Sequence, residues 1–347
     1  MKARIVVTAL ALVTAAVSAR GETTADLYAK AKQEGALSLY GGGPAAPWEA
    51  AANLFKAKYP GIDVKIEAGF SNVFDQRIDK QIAAHKMEVD GAILQTVQDF
   101  VRWKKEGALL GFKPEGFDKI DPNWKDKDGT YVGLSVNAHT YAYNTNGVSP
   151  GQVPKSALDF LKPEWKGKVV SAYPQDDDAT LYDFNSITRK YGWSYWTKYM
   201  ANQPKFIQGH LGVARSISSG DTLVTLDTIA SISMAEKAAG KPQEIAFSPV
   251  DPLPVWAVTG GVFKGAPHPN AAKLFIAWEL STEVQRSLPA GTWPVRSDVT
   301  PGAGMKPIHS YKLVNSYRAF LTAPGLVALR ARFAKLVGPI TNKGGVQ

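Results

Sequence analysis

Between Pro174 and Thr180 the chain sets three successive carboxylates, Asp176, Asp177 and Asp178, directly before a helical run that opens on Ala179. An acid at a helix start caps free N–H groups and meets the positive end of the dipole, so at least two of the three are expected to be structural. If Asp177 or Asp178, beside Thr180, points into a cleft instead, it repels a bare anion and suits an amine, a hydroxylated molecule or a metal. Gly42 and Gly43, with Gly41, let backbone N–H groups approach a ligand at the mouth of a helix, or make a plain tight turn. Ser71 and Asn72 stand at a second helix start, where they can cap or donate to a ligand. Gln95 and Thr96 close a third strand, where the same two readings apply. Trp48, Tyr141, Tyr143, Trp256 and Trp293 can stack on an organic solute or hold an amine by a cation–π contact, or simply fill the interior. Arg215, after a turn at Gly209 to Gly212, is the best single candidate for holding a carboxylate, against the reading of a solvated helix face.

Several chemistries are excluded. No Gly-Lys-Ser/Thr follows the glycines, so there is no nucleotide P-loop. Gly133-Leu134-Ser135-Val136-Asn137 lacks the second glycine of a nucleophile elbow. His85, His210, His268 and His309 show no metal-ligand spacing and read as lone surface or core residues. With no cysteine there is no disulfide, iron–sulfur cluster, thiolate zinc site or thiol nucleophile. The expectation is a binding protein rather than an enzyme, without catalytic residues, cofactor or metal.

The elements that would position these residues read as α/β. Leu37 to Tyr40 is a strand, and Trp48, Ala52, Phe55 and Tyr59 recur at helical spacing until Pro60 and Gly61. Ile62, Val64, Ile66 and Ala68 alternate as a half-buried strand; Phe74, Ile78 and Ile82 mark a second helix; Val89 to Leu94 and Thr96 to Glu106 form a third pair. Three alternations predict a largely parallel sheet with helices on both faces, its ligands gathering at the strands' carboxyl ends. Tyr131 to Leu134 and Ala138 to Tyr143, interrupted by Ser135 to Asn137, read as a crossover. A second series follows: strand Lys168 to Ala172, helix Ala179 to Lys190, strand Thr222 to Leu226, helix Thr228 to Ala239. Pro249, Pro252 and Pro254 lead into an extended return crossover at Val255 to Val258, flanked by Trp256 and Thr259. Helices then span Asn270 to Leu280 and Leu326 to Val337.

The 347 residues, 45% hydrophobic and 20% charged, allow two or three domains and exclude disorder. Lys2 and Arg4 precede an uncharged stretch, Ile5 to Ala16, too short to span a bilayer and followed by small residues; a secretory signal peptide, 1–19, cleaved after Ala19, is expected. Two of the +9 net charges leave with it, and the remaining basic residues are dispersed, which argues against nucleic acid. No membrane insertion is expected, and the missing cysteine removes the acceptor of an N-terminal lipid anchor.

The order Leu39-Tyr40-Gly41-Gly42-Gly43, Val132-Gly133-Leu134-Ser135, Ala142-Tyr143-Asn144-Thr145, Lys264-Gly265-Ala266-Pro267-His268-Pro269-Asn270 and Gly291-Thr292-Trp293-Pro294-Val295-Arg296 resembles the family 1 extracellular solute-binding proteins of bacterial ABC importers. Within these it is most similar to the ferric iron, polyamine, thiamine and phosphonate branch. The resemblance implies a two-lobed type II periplasmic binding fold, each lobe a mixed, mostly parallel sheet flanked by helices, joined by two extended crossovers. It implies a monomer in the periplasm that closes on a small-molecule solute and delivers it to the transmembrane subunits of an ABC permease. The expected lobes are 20–138 with 259–303, and 139–258 with 304–347. It implies ligand contacts from Gln95, Thr96, Trp256 and Thr259. Where phosphate and phosphonate binders offer a Ser/Thr-Gly anion cradle, this chain has its three aspartates, which lowers phosphonates. Ferric members use a tandem tyrosine pair, absent here; the matching region, Asp221 to Ile229, offers Asp227, and His139, Tyr141, Tyr143 and Asp177 would have to assemble otherwise. The working expectation is a small polar organic solute with a cationic or hydroxyl group facing Asp177 or Asp178, with ferric iron and, from another class, a secreted α/β hydrolase as alternatives.

Overall fold

A computed structural model describes residues 22–302 and 305–344; the expected signal peptide lies outside them. The chain opens with α1 (Thr24–Glu34), started by a reciprocal Thr23/Asp26 capping box and closed by left-handed Gly35. Next come β1 (Ala36–Gly42), α2 (Ala45–Lys58), β2 (Asp63–Gly69), α3 (Ser71–Ala83), β3 (Gly91–Leu94) and α4 (Val97–Lys105). Strands β2, β1 and β3 pair in parallel, in that order. They are the alternating series expected from the periodicity.

The sheet is then completed by two antiparallel strands. β4 (Val132–Asn144) is one continuous strand, a correction to the two interrupted pieces read from the sequence. Ser135 and Asn137 are polar in type but lie opposite Val258 and Trp256 of β9 (Leu253–Val262), so the ladder runs through them. A register shift between Gly133 and Ser135 absorbs the irregularity as a bulge. β4 pairs with β9 up to Ala138 and Val255; from His139 onward it pairs with β7 and β8 instead. The long crossovers thus belong to both halves of the molecule, and their antiparallel pairing makes the sheet less parallel than the strand–helix alternation suggested.

The second half comprises β5 (Val170–Ala172), α5 (Asp178–Tyr191), α6 (Ser194–Ala201), β6 (Lys205–Ile207), α7 (His210–Ser219), β7 (Val224–Ile229), α8 (Ala230–Ala238) and β8 (Gln243–Ala246). After β9 come α9 (Pro269–Glu279), α10 (Thr282–Arg286), β10 (Leu313–Val314), α11 (Tyr317–Leu321) and α12 (Leu326–Val337). The region read as a turn at Gly209 to Gly212 is corrected to the start of α7: Gly209 is its N-cap with φ 79°, and Arg215 lies on its exposed side. α9 begins with Pro269 at its first turn, and Glu34 at the end of α1 accepts from the backbone N–H of Asn270 and Ala271.

Each half has its own interior. Leu27, Leu39, Phe55, Ile93, Phe275 and Trp278 anchor the first, while Phe160, Leu181, Phe184, Trp196, Tyr199 and Phe333 anchor the second. A third cluster joins them: Leu94, Val97 and Phe100 pack with Ala179, Tyr182 and Ile229, and Trp256 and Tyr317 sit among both sets. The two lobes therefore meet along an apolar seam flanked by crossovers.

Candidate functional site

The residues singled out from the sequence fall into two constellations, one at the strand ends of each lobe. In the first lobe Gly42 ends β1 so close to α3 that a Cβ there would lie 2.6 Å from Ser71 Oγ. Ser71 Oγ in turn accepts the backbone N–H of Gln95 at 3.3 Å. Trp48 donates its indole N–H back to Gly42 O at 3.1 Å, and Gly43 has φ 100°. Ser71 and Asn72 do not cap α3: its N-cap is Phe70, and Ser71 is already helical, because its hydroxyl is committed to the Gln95 turn. Thr96 occupies the N-cap position of α4 without a side-chain capping bond.

In the second lobe Asp177 caps α5, accepting from Ala179 and Thr180 N–H at 2.8 and 3.1 Å. Asp176 accepts from Gln208, and Asp178 pairs with Arg330 of α12. All three aspartates therefore have partners. Asp178 also receives Gln98 Nε2 of α4 at 3.0 Å, a direct hydrogen bond from one lobe to the other. Sequence reasoning missed Gln98; its place two residues beyond Thr96, in the first turn of α4, was the available signal.

Behind α5 lies a fully buried ionic cluster. Asp227, an acid in the otherwise apolar and hydroxylic strand β7, accepts the Ala172 N–H at Oδ2, 2.9 Å away. Its Oδ1 faces His139 Nδ1 at 2.8 Å and His210 Nε2 at 3.2 Å. Thr180 Oγ1 lies 3.2 Å from His210 Nε2 and 3.3 Å from both Asp227 oxygens. His210 Nδ1 stands 3.5 Å from Asp177. Burial alone would lower the His210 pKa, but Asp177 and Asp227 outweigh it and push it up to about 10. Asp227 is held below the usual carboxylate range because His210 and His139 overcome its desolvation. His139, by contrast, is driven down by burial, and Asp183 is driven well up by burial and by Asp227. His210 is thus no lone core residue, contrary to the sequence reading.

Other expected residues fall elsewhere. Tyr141 donates to Asp251 Oδ2 at 2.6 Å, and Tyr143 is half-buried further along β4. Trp293 is wholly buried in the first lobe. Trp256 and Thr259 do reach the seam. They line a cavity of about 200 Å³ together with Val97, Trp124, Tyr131 and Tyr317. Tyr317 was not foreseen, because the short elements around it carry no periodicity.

The electrostatics of this seam are unusual for a protein interior. Thr96 Oγ1 and Gln98 Oε1 from the first lobe, Trp256 Nε1 from the crossover and Tyr317 OH from α11 are all buried without a hydrogen bond. More than nine in ten buried polar groups ordinarily have a partner. Leaving one unmade costs about 1–3 kcal/mol, so these four stand out as groups in want of a partner.

Two lobes joined by antiparallel crossovers meet at an apolar seam that carries a few unpartnered polar groups. Residues 50–314 match the model of the bacterial extracellular solute-binding proteins, and the chain belongs to that family. Over 176 residues it is 24% identical to the Fe(3+)-binding periplasmic protein of Serratia marcescens, a match covering 49% of this chain and 52% of that one, so the chain spans about half the length of that relative. Iron-bound HitA from Pseudomonas aeruginosa superposes with a TM-score of 0.70 at 21% identity, over 86% of this chain and 99% of the other. AfuA from Actinobacillus pleuropneumoniae, with bound fructose-6-phosphate, gives 0.71 at 19% identity over 87% and 98%. The periplasmic binding protein P5PA gives 0.72 at 17% over 88% and 100%. The fold is that of type II periplasmic binding proteins, as expected. Family and fold are those of binding proteins, not of enzymes. Among the described residues no helix is long and apolar enough to cross a membrane.

Proposed function

We propose that this protein is the periplasmic receptor of an ABC importer. It captures a small polar solute bearing hydroxyl, amide or ammonium groups at the seam and delivers it, as a monomer, to the permease. Lobes of 20–138 with 259–303 and 139–258 with 304–347 move about the crossovers. The observation that carries the reading is the set of four unpartnered buried polar atoms contributed by both lobes and the crossover. A solute would satisfy Trp256 Nε1 as an acceptor and Gln98 Oε1 as a donor, while Thr96 and Tyr317 can do either. Trp256 and Tyr317, with ring centroids 5.8 Å apart, supply an apolar wall.

Bare anions fit poorly. The N-terminus of α5, where an anion would dock, is filled by the chain's own Asp177, and Asp178 stands beside it. A ferric site at the seam would need hard, ionisable oxygen donors, whereas burial pushes the Tyr317 phenol well up. A panel of polyols, amino compounds and amides, read by thermal shift with inorganic phosphate and ferric citrate as comparators, tests the reading. Stabilisation by one polar class, lost in Trp256→Phe, supports it. Stabilisation by phosphate or iron alone, undiminished in Trp256→Phe, overturns it.

A further inference from the structure

We propose that His139, His210 and Asp227 form a binding site for a divalent transition-metal ion of borderline softness, with Zn²⁺ as its representative, inside the second lobe. This goes beyond the solute reading and does not depend on it: the cluster lies within one lobe, behind α5, and uses none of the four seam atoms.

The three donor atoms all lie within 4.8 Å of one another, and each is oriented by a partner or by its own lack of one. Ala172 N–H takes Asp227 Oδ2 and leaves Oδ1 facing the two imidazoles. Asp177 stands at His210 Nδ1, which turns Nε2 toward Asp227. Carboxylates that hold the far nitrogen of an imidazole are the usual outer support of a metal-binding histidine. Separations of 2.8 and 3.2 Å from Asp227 Oδ1 both fall short of the roughly 3.3–3.4 Å that two bonds of about 2.0–2.1 Å at a tetrahedral angle require, so loading opens the shorter one by about 0.5 Å and the longer one slightly.

The decisive residue is His139. Its Nδ1 sits 2.8 Å from Asp227 Oδ1, yet the contact is not directed along an N–H bond, and both ring nitrogens are buried without a hydrogen bond. Asp183 Oδ2, 3.9 Å from the same Nδ1, is buried and unpartnered too. A purely protonic arrangement, an imidazolium at His210 between Asp177 and Asp227, accounts for those three residues. It leaves His139 and Asp183 unexplained at the centre of the lobe. A cation among His139 Nδ1, His210 Nε2 and Asp227 Oδ1, with Asp183 or Thr180 Oγ1 near the fourth position, engages them all. Two imidazoles with one carboxylate favour a late first-row divalent ion over Ca²⁺, Mg²⁺ or Fe³⁺. His210 would release its proton to solvent on loading.

The test uses the full chain, stripped with a chelator and titrated with ZnCl₂ by calorimetry, with Co²⁺ as a visible-absorption probe. Expected are one Zn²⁺ per chain, a tetrahedral Co²⁺ spectrum of nitrogen and oxygen donors, and its displacement by Zn²⁺. His139→Ala should abolish the Co²⁺ band. Asp177→Asn, which can still cap α5, should weaken Zn²⁺ binding by about tenfold or more. The proposal is overturned if the native chain takes up no Zn²⁺, or if folded His139→Ala binds one Zn²⁺ as tightly as the native protein. Should His139→Ala fail to fold by circular dichroism, the native Co²⁺ spectrum and Asp177→Asn decide alone: an octahedral spectrum, or unchanged affinity, overturns it.

Discussion

At the scale of single residues, Trp256 is a core side chain that we propose also meets the solute. It is 1% exposed, packed between His139 and Tyr317, and its indole N–H has no acceptor. Trp256→Phe keeps most of the apolar packing and removes the donor, so solute affinity should fall about tenfold while the melting temperature of the solute-free protein changes little; a titration of both variants measures this. A second residue, Asp75 of α3, offers a pH dependence of its own. Burial, then Asp99, raises its carboxyl to about 6, and its Oδ1 has no partner. A raised carboxyl pKa means the folded state holds a proton that the unfolded state has released, so stability falls as pH rises from about 4 to 6. Asp75→Asn should therefore stabilise the protein at pH 7, by roughly 1 kcal/mol after allowing for solvent screening, and the gain should vanish below about pH 4. Urea unfolding at the two pH values reads the difference.

At the scale of elements, the helix starts dominate. Asp177 holds two N–H groups of α5, and Asp177→Ala should cost about 1–2 kcal/mol of stability by losing the cap, with a further loss because His210 keeps only one of its two carboxylates, Asp227; thermal unfolding checks it. The loop at Gly291 makes a tighter demand, because with φ 84° its missing Cβ would lie 2.5 Å from the backbone of Ala230 and Ser231 at the start of α8. Gly291→Ala should destabilise the protein by several times the usual cost of about 1 kcal/mol for a substitution. Much of this arrangement was legible in the sequence. Leu39 to Gly43, Phe74 with Ile78, and Val97 with Phe100 announced strand, helix and the inward face of a third-pair helix by period alone. Asp227 stood out as an acid within Val224 to Ile229. What could not be read were pairings between distant segments. Nothing in Ser135 to Asn137 told that β9 would carry them as strand. His210 was hidden because α7 follows a glycine that resembles a turn, and Gln98 because only the facing lobe gives it a partner. Tyr317 had no period to betray it.

At the scale of the whole molecule, the closure we propose would join surfaces that the two cores already hold. β4 and β9 run through both lobes, so the hinge motion we propose would bend existing ladders and leave the cores of Phe55 and Phe184 intact. Solute should therefore compact the protein without changing its helix content; small-angle scattering and circular dichroism together check that. Asp178 adds a consequence of its own. One oxygen is tied to Arg330 of α12, which packs on the second lobe through Phe333, and the other receives Gln98 from the opposite lobe. Opening the cleft breaks only the Gln98 contact. The carboxylate stays frozen in its rotamer on the open face, and the ordering entropy of about 0.5–1.5 kcal/mol that an immobilised interface side chain would otherwise cost is already spent in folding. In the open form we propose, Asp178 is thus a preorganised acceptor, in place for Gln98 on reclosure or for a donor group of the solute.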